Sequence, residues 1–483
     1  MNDKFRVQQI DLRTTPTTAV FLMLLGLVSP ESQADSASGR NDPILHWNAI
    51  ALQAVADDHS GTWRTTEDGR PSPEQGGPTG GSRALAIVHL AIYDAVNAID
   101  GSHDPYLPVV LDAGILRRAS LKAAVAQAAY DTLVDLFPAQ RSVFDRKLDN
   151  YLRRIPPKRG RHAGRLVGAE AAQNILAARA NDGAAGPMPY TPGSEPGDHQ
   201  PDPLNPEQGF LGAGWGMIDS FSGIDVTDPY FRAPPPPALD SAEYAEAFAE
   251  VASIGGDGII TPTIRNEEQT DIGLFWAYDG TIGLGVPPRL YNQAVRRIAR
   301  KKGNTLVENA RLFALVNLAT ADAGIACWES KYFYNLWRPI VAIRRAGSDG
   351  NSATRRDRSW TPLGAPASNR SGIDFTPPFP SYPSGHATFG GAVFRTLERF
   401  YGTDELSFRL KSDELNGKTT DWAGNHRHTV VRRFERFSDA ARENAQSRIY
   451  LGIHWQFDAT AGIDQGAAIA DHVFDNLLNP RQE

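Results

Sequence analysis

Apolar residues recur three and four positions apart through most of this chain, and that spacing confines it to helices. In the first half the pattern occupies residues 44–58, 83–99, 121–136, 143–155 and 165–180. It returns at 242–253, 267–278, 289–302 and 306–327, running on towards residue 343, and again at 386–401, 440–450 and 454–477. Strand-like alternation is scarce. The expectation is an all-α protein of two helical bundles. Residues 181–240 break the pattern, being rich in Gly and Pro and including Pro234 to Pro237. A loop of that length wraps a surface or joins units. With 483 residues there is room for two or three cores.

The formal charge of −7, with no long Lys/Arg run, argues against nucleic acid as the main partner. The one cysteine, Cys327, excludes an intrachain disulfide framework and a cysteine-rich metal site. At the N-terminus, Lys4, Arg6 and Arg13 precede an apolar run at 19–28, and residues 29–34 end in a small-x-small pattern before Asp35. That is the layout of a secretory signal, too short to span a bilayer comfortably; a short anchor or a disordered leader is the alternative. No later stretch reads as a membrane span. The expected plan is a signal peptide at 1–34, an N-terminal helical domain with its long loop at 35–240, and a C-terminal bundle at 241–483. The mature chain would be exported, periplasmic or secreted.

Three blocks in the second half carry chemistry. Lys331 and Arg338 stand seven apart, near two full helical turns, so on a helix both cations share one face beside Trp328, Phe333 and Trp337. Pro339 would kink or end that helix. Read alone, the pair fits snorkelling basic residues at least as well. Next, Pro383-Ser384-Gly385-His386 leads into a small, apolar helical run. It aims free backbone N–H groups, a hydroxyl and an imidazole at one spot, a natural oxyanion site. Finally, Arg448 and His454 are six apart, which does not stack on a straight helix unless Gly452 breaks it. Asp458, one turn further, is placed to hold the second nitrogen of His454 and fix its tautomer. A lone histidine there would more often be structural. Together the blocks supply three cations, a Ser-Gly helix mouth and two histidines, an inventory for a tetrahedral or trigonal-bipyramidal oxyanion.

Lys-x6-Arg-Pro, Pro-Ser-Gly-His and Ser-Arg-x5-His-x3-Asp, in that order over residues 331–458, resemble the three-part signature of vanadium-dependent haloperoxidases and type 2 phosphatidic acid phosphatases. Weaker likeness extends to Ser82–His89 and to Phe275–Gly280, which look like segments of haloperoxidase chains. The phosphatases are shorter and lack the N-terminal half, so chain length favours the haloperoxidase branch, with the C-terminal bundle carrying the active site. The resemblance implies vanadate as cofactor, bound through His454. Lys331, Arg338, Arg448, Ser384 and the Gly385 N–H would neutralise its oxygens. His386 would act as acid–base group, and Lys331 would polarise peroxide. Asp279 resembles a family aspartate that pairs with the arginine matched by Arg448. Phe379 and Trp328 match aromatics of the chloroperoxidases, pointing to chloride as well as bromide, although simple core packing explains them too. The implied partners are hydrogen peroxide, halide and a small organic acceptor, with no nucleic acid and no membrane span in the mature chain, and a homodimer as the assembly. The same pocket also suits an exported acid phosphatase, with His454 as nucleophile and His386 as general acid. A helical scaffold with a relic site is the non-enzymatic alternative.

Overall fold

The computed structural model describes residues 42–60, 73–157, 160–186 and 188–481. The signal peptide expected at 1–34 lies outside them. The described chain is mostly helical. The first bundle comprises α1 (Pro43–Asp58), α2 (Gly77–Asp100), α3 (Leu121–Leu136), α4 (Arg141–Leu152) and α5 (Arg161–Arg179). Later come α6 (Ala242–Ile254), α7 (Glu267–Phe275), α8 (Pro287–Lys302), α9 (Leu306–Tyr334), α10 (Pro339–Arg345) and α11 (Gly385–Tyr401). A hairpin of β1 (Glu405–Asn416) and β2 (Thr429–Arg436) precedes α12 (Phe437–Tyr450) and α13 (Gln456–Asn476). Local signals set several helix starts. Asn266 with Gln269 and Thr305 with Glu308 form reciprocal capping boxes at the starts of α7 and α9, each pairing two otherwise unused backbone donors.

The two bundles share a core. Helix α2 lies along α9, and one apolar cluster runs from Ile44 in α1 to Val473 in α13. Contrary to the sequence expectation, α2 and α9 are each long and apolar enough to cross a bilayer. They do not need one, because 83% and 94% of their apolar windows are buried inside the protein. A helix apolar all round is satisfied equally by a protein interior.

Within this interface His89 is fully buried and stacked on Phe313. Its Nε2 accepts from Asn48 Nδ2 at 2.8 Å, which starts an amide chain through Asn292 to Asn317. Burial, then Arg296, pushes the His89 pKa down to about 3. The unfolded chain protonates this histidine below about 6.5 while the folded chain does not, so acid favours unfolding by about 1.4 kcal/mol per pH unit. The window runs from about 6.5 down to 3. His89→Gln is expected to flatten the slope of stability against pH by that amount, read from denaturant unfolding at pH 7, 6 and 5.

Two expectations are corrected. The polar connection after α11, where no strand was expected, is an antiparallel hairpin with Phe408 opposite Phe434. Leu406, Phe408, Leu410 and Glu414 alternate inward along β1, so one face is buried although the segment is polar overall. Nor do Lys331 and Arg338 lie on one continuous helix. Asn335 takes a left-handed φ of 51° and ends α9, its N–H bonding Lys331 O at 2.9 Å. Arg338 precedes Pro339, which disfavours helical backbone there, and it adopts an extended conformation before α10 restarts.

Candidate active site

The turn at Asn335 brings the two cations together by reversing the chain. Lys331, fully buried, donates to the carbonyls of Pro380 and Ser381 at 2.9 Å each and to that of Pro383. Burial lowers its pKa to about 7. Three carbonyl acceptors nevertheless match three N–H donors, which only the ammonium form supplies. Arg338 donates through Nε to Phe379 O at 2.9 Å and through Nη1 to Ile453 O at 2.8 Å and His454 Nε2 at 2.9 Å. Phe333, expected beside these cations, instead lies 57% exposed beneath Arg232.

His454 reaches the same point because α12 stops at Tyr450 and Gly452 turns with a φ of 71°. A Cβ there would stand 2.4 Å from Gly255 O, so no other residue fits without moving backbone. His454 Nδ1 lies 2.7 Å from Asp458 Oδ2, which also accepts from Trp455 N and the Ser381 hydroxyl. A guanidinium can only donate, so the contact with Arg338 leaves the lone pair of His454 on Nε2 and its proton on Nδ1. Burial, then Arg338, Lys331 and Arg448, hold His454 well below the usual histidine range, so the ring is neutral. Asp458 Oδ1 has no partner, which leaves room for an amide nitrogen. Asp458→Asn is therefore expected to keep orthovanadate affinity within about tenfold. Asp458→Ala should lose about 10- to 100-fold if His454 has the ligand role that the resemblance implies, the usual cost of removing a group that orients such a histidine. Calorimetric titration compares the two.

Around this nitrogen gather donors with nothing to donate to. Arg338 Nη2, Arg448 Nε and Nη1, and Ser384 Oγ are buried and without hydrogen-bond partners. Leaving a buried polar group unpaired costs about 1–3 kcal/mol, more when it is charged, so the arrangement favours an anion with several oxygens. Ser384 is the N-cap of α11 and makes no capping bond of its own. Gly385 follows it, where a Cβ would press to 3.1 Å from the Trp328 ring. Among the described residues no three His, Cys, Asp or Glu side chains group as a cage for a bare metal ion. One imidazole lone pair facing guanidinium and hydroxyl donors fits vanadate.

His386 and Arg448 are held by one short segment. His386 Nε2 donates to Ala277 O at 2.7 Å, which leaves Nδ1 with the lone pair. Burial, then Arg448, hold this histidine too well below its usual range. Asp279 accepts from Arg448 Nη2 at 2.8 and 2.9 Å through its two oxygens. Between them Tyr278 sits at a φ of 49°, a left-handed conformation costing about 1–3 kcal/mol for a residue with a Cβ.

A cavity of about 320 Å³ opens on the site, lined by His386, His454, Arg448, Asp279, Gly385, Trp328 and Phe379 among others. The Trp328 and Phe379 rings meet at 4.9 Å, with Lys331 Nζ 5.1 Å from the Phe379 centroid and the Arg338 guanidinium at 4.9 Å. All the sequence-nominated site residues thus fall around one cavity or in its immediate wall. The sequence reading did not single out Ser381, the Ala277 carbonyl, His59, or the share of the irregular segment. Leu211 O accepts from Trp328 Nε1 and the Tyr332 hydroxyl, and Leu211 N donates to Pro378 O at 2.9 Å. Gln208 Nε2 donates to Thr376 O, and Asp202 accepts from Thr376 N. The segment between the bundles therefore forms part of the cavity wall. Its proximity to residue 331 had no signature in local spacing.

Residues 311–483 match the family model described as the VCPO second helical-bundle domain. The vanadium chloroperoxidase of Curvularia inaequalis is 34% identical over 501 aligned positions, spanning 87% of this chain and 80% of that protein. Among solved structures, a bacterial vanadium-dependent iodoperoxidase superposes with a TM-score of 0.72 at 22% identity, covering 91% of this chain and 98% of its own. A holo-type bacterial vanadium-dependent chloroperoxidase gives 0.63 at 19% identity, covering 88% and 96%. These two likenesses show a shared fold, while the sequence identity to the Curvularia protein extends over both bundles. The chain belongs to the vanadium-dependent haloperoxidase family.

Proposed function

We propose that this chain oxidises bromide, and chloride as well, with hydrogen peroxide to hypohalous acid, which halogenates a small organic acceptor. The observation that carries this reading is the set of unpartnered buried donors on Arg338, Arg448 and Ser384 beside His454, whose Nε2 lone pair faces Arg338 Nη1. His454 Nε2 is the ligand atom for vanadate. Arg338 Nη2, Arg448 Nε and Nη1, Ser384 Oγ and the Gly385 N–H take up the charge of the oxygens without reorganising. Vanadate held there supplies a Lewis-acid centre at which peroxide becomes electrophilic towards halide. His386, neutral with its lone pair on Nδ1, takes a proton from peroxide entering the cavity and returns it to the departing oxygen. Lys331 polarises peroxide by exchanging one of its three carbonyl partners for substrate. Trp328 and Phe379 present an apolar wall that leaves halide poorly hydrated and easier to oxidise. The Curvularia relative, named for chloride, supports chloride competence. The signal layout of residues 1–34 supports an exported enzyme, periplasmic or secreted.

The test is halogenation of a phenolic dye by the purified protein with peroxide, with and without orthovanadate, in bromide and then chloride. Vanadate-dependent turnover in both halides is expected. The phosphatase reading places His454 Nε2 as nucleophile in the same pocket. Hydrolysis of an aryl phosphate, blocked by vanadate and with no halogenation, would overturn the proposal in its favour.

A further inference from the structure

The left-handed Tyr278 stands between two groups that the site depends on. The carbonyl before it holds His386 Nε2 at 2.7 Å, and the carboxylate after it grips Arg448. A φ of 49° at a tyrosine persists only where its surroundings hold it. The holders come from the β1–β2 hairpin. Glu414 Oε1 accepts the Tyr278 N–H at 3.1 Å, and the Tyr278 hydroxyl accepts the Asp413 N–H at 2.7 Å. Two adjacent residues of one strand thus fasten Tyr278 by its backbone and by its far end.

Glu414 is built for that grip. It is fully buried, and its other oxygen accepts from Ser368 Oγ and from Arg427 Nη1 at 2.6 Å. Arg427 reaches Ser368 Oγ as well, closing a triangle that fixes the carboxylate. No member of this triangle lines the cavity. Were Tyr278 to relax to right-handed backbone, the Ala277 carbonyl and the Asp279 carboxylate would turn, and both His386 and Arg448 would lose their partners.

We propose that Glu414 is a positioning residue for the oxyanion site, acting through the Tyr278 backbone to aim Arg448 and set the tautomer of His386. This rests on the site reading given under Proposed function. Anion binding is the readout, so a chain that binds orthovanadate yet fails to halogenate would sink the haloperoxidase reading and leave this inference standing.

The experiment titrates the full chain with orthovanadate and with inorganic phosphate by calorimetry, with circular dichroism as the check on folding. Glu414→Leu is expected to bind orthovanadate roughly tenfold more weakly, the scale of one charge-assisted hydrogen bond lost. Glu414→Gln should bind more tightly than Glu414→Leu, because its amide oxygen still accepts from Tyr278 N and its NH₂ can donate to Ser368 Oγ. That NH₂ also meets Arg427 Nη1, so the glutamine restores only part of the affinity. Tyr278→Phe, nearly isosteric, removes only the Asp413 contact and is expected to cost about threefold, the scale of a neutral hydrogen bond. Wild-type affinity in a folded Glu414→Leu, a Gln variant as weak as the Leu variant, or an unchanged Tyr278→Phe would each overturn the proposal. Should Glu414→Leu not fold, the Tyr278→Phe result decides.

Discussion

His454→Ala is expected to abolish vanadate-dependent halogenation and to weaken orthovanadate binding by about a thousandfold or more, as when one member of an interdependent catalytic set is removed. The substitution deletes the imidazole whose Nδ1–H is held by Asp458, itself backed by Ser381, and whose Nε2 lone pair faces Arg338. The donors on Arg448 and Ser384 remain, so some weak anion binding should persist, with phosphate and vanadate falling towards similar affinities. Calorimetry with both anions, alongside the bromide assay, reads the effect. The fold should survive, because Arg338 keeps Phe379 O and Ile453 O as acceptors. Vanadate binding at wild-type strength in this variant would move the ligand role to another nitrogen, with His386 the candidate.

Gly452→Ala is expected to do comparable damage without touching a site group. The new methyl would meet Gly255 O at 2.4 Å and Gly255 C and Cα at 3.0 Å, all backbone atoms that cannot rotate away. Overpacking of this kind costs about 1–3 kcal/mol, and a left-handed residue with a Cβ adds a similar amount. Thermal unfolding should show a clear drop in midpoint. In molecules that do fold, relief of the clash should shift the turn that separates Arg448 from His454, so orthovanadate binding should weaken as well. A variant with wild-type midpoint and wild-type binding would show that the turn has slack the distances do not suggest.

The helices were legible because burial forces a three-and-four rhythm on any segment packed on one side, and each expected segment contains a helix. The site was legible because each of its three blocks is local, with spacings that fit turns or caps. Asn335 was not read as a break because a seven-residue separation mimics a continuous face, and nothing in that separation reveals a left-handed residue between. The hairpin was missed because Ser412 and Glu414 occupy its inward positions alongside Leu406, Phe408 and Leu410, so alternation by side-chain type hides alternation by burial. The same holds for Ser381 and Glu414, whose importance lies in partners distant in sequence. A buried carboxylate and an exposed one look alike until the donors around them are known.

The wall that Leu211 and Gln208 supply also sets an order of events during synthesis. Gln208 is made 168 residues before Thr376, the partner whose carbonyl it holds. At about 5–20 residues per second, the segment waits on the order of ten seconds for a partner to emerge. The first bundle has its own apolar faces to bury in that interval and already offers Arg179 and Tyr106 to the segment around Phe221. The stretch from Asp202 to Leu211, however, lacks the Thr376 and Pro378 backbone it bonds. This part of the cavity wall is therefore closed only once residues 376–378 have been made and have docked, so an early-made side of the pocket waits for its backing.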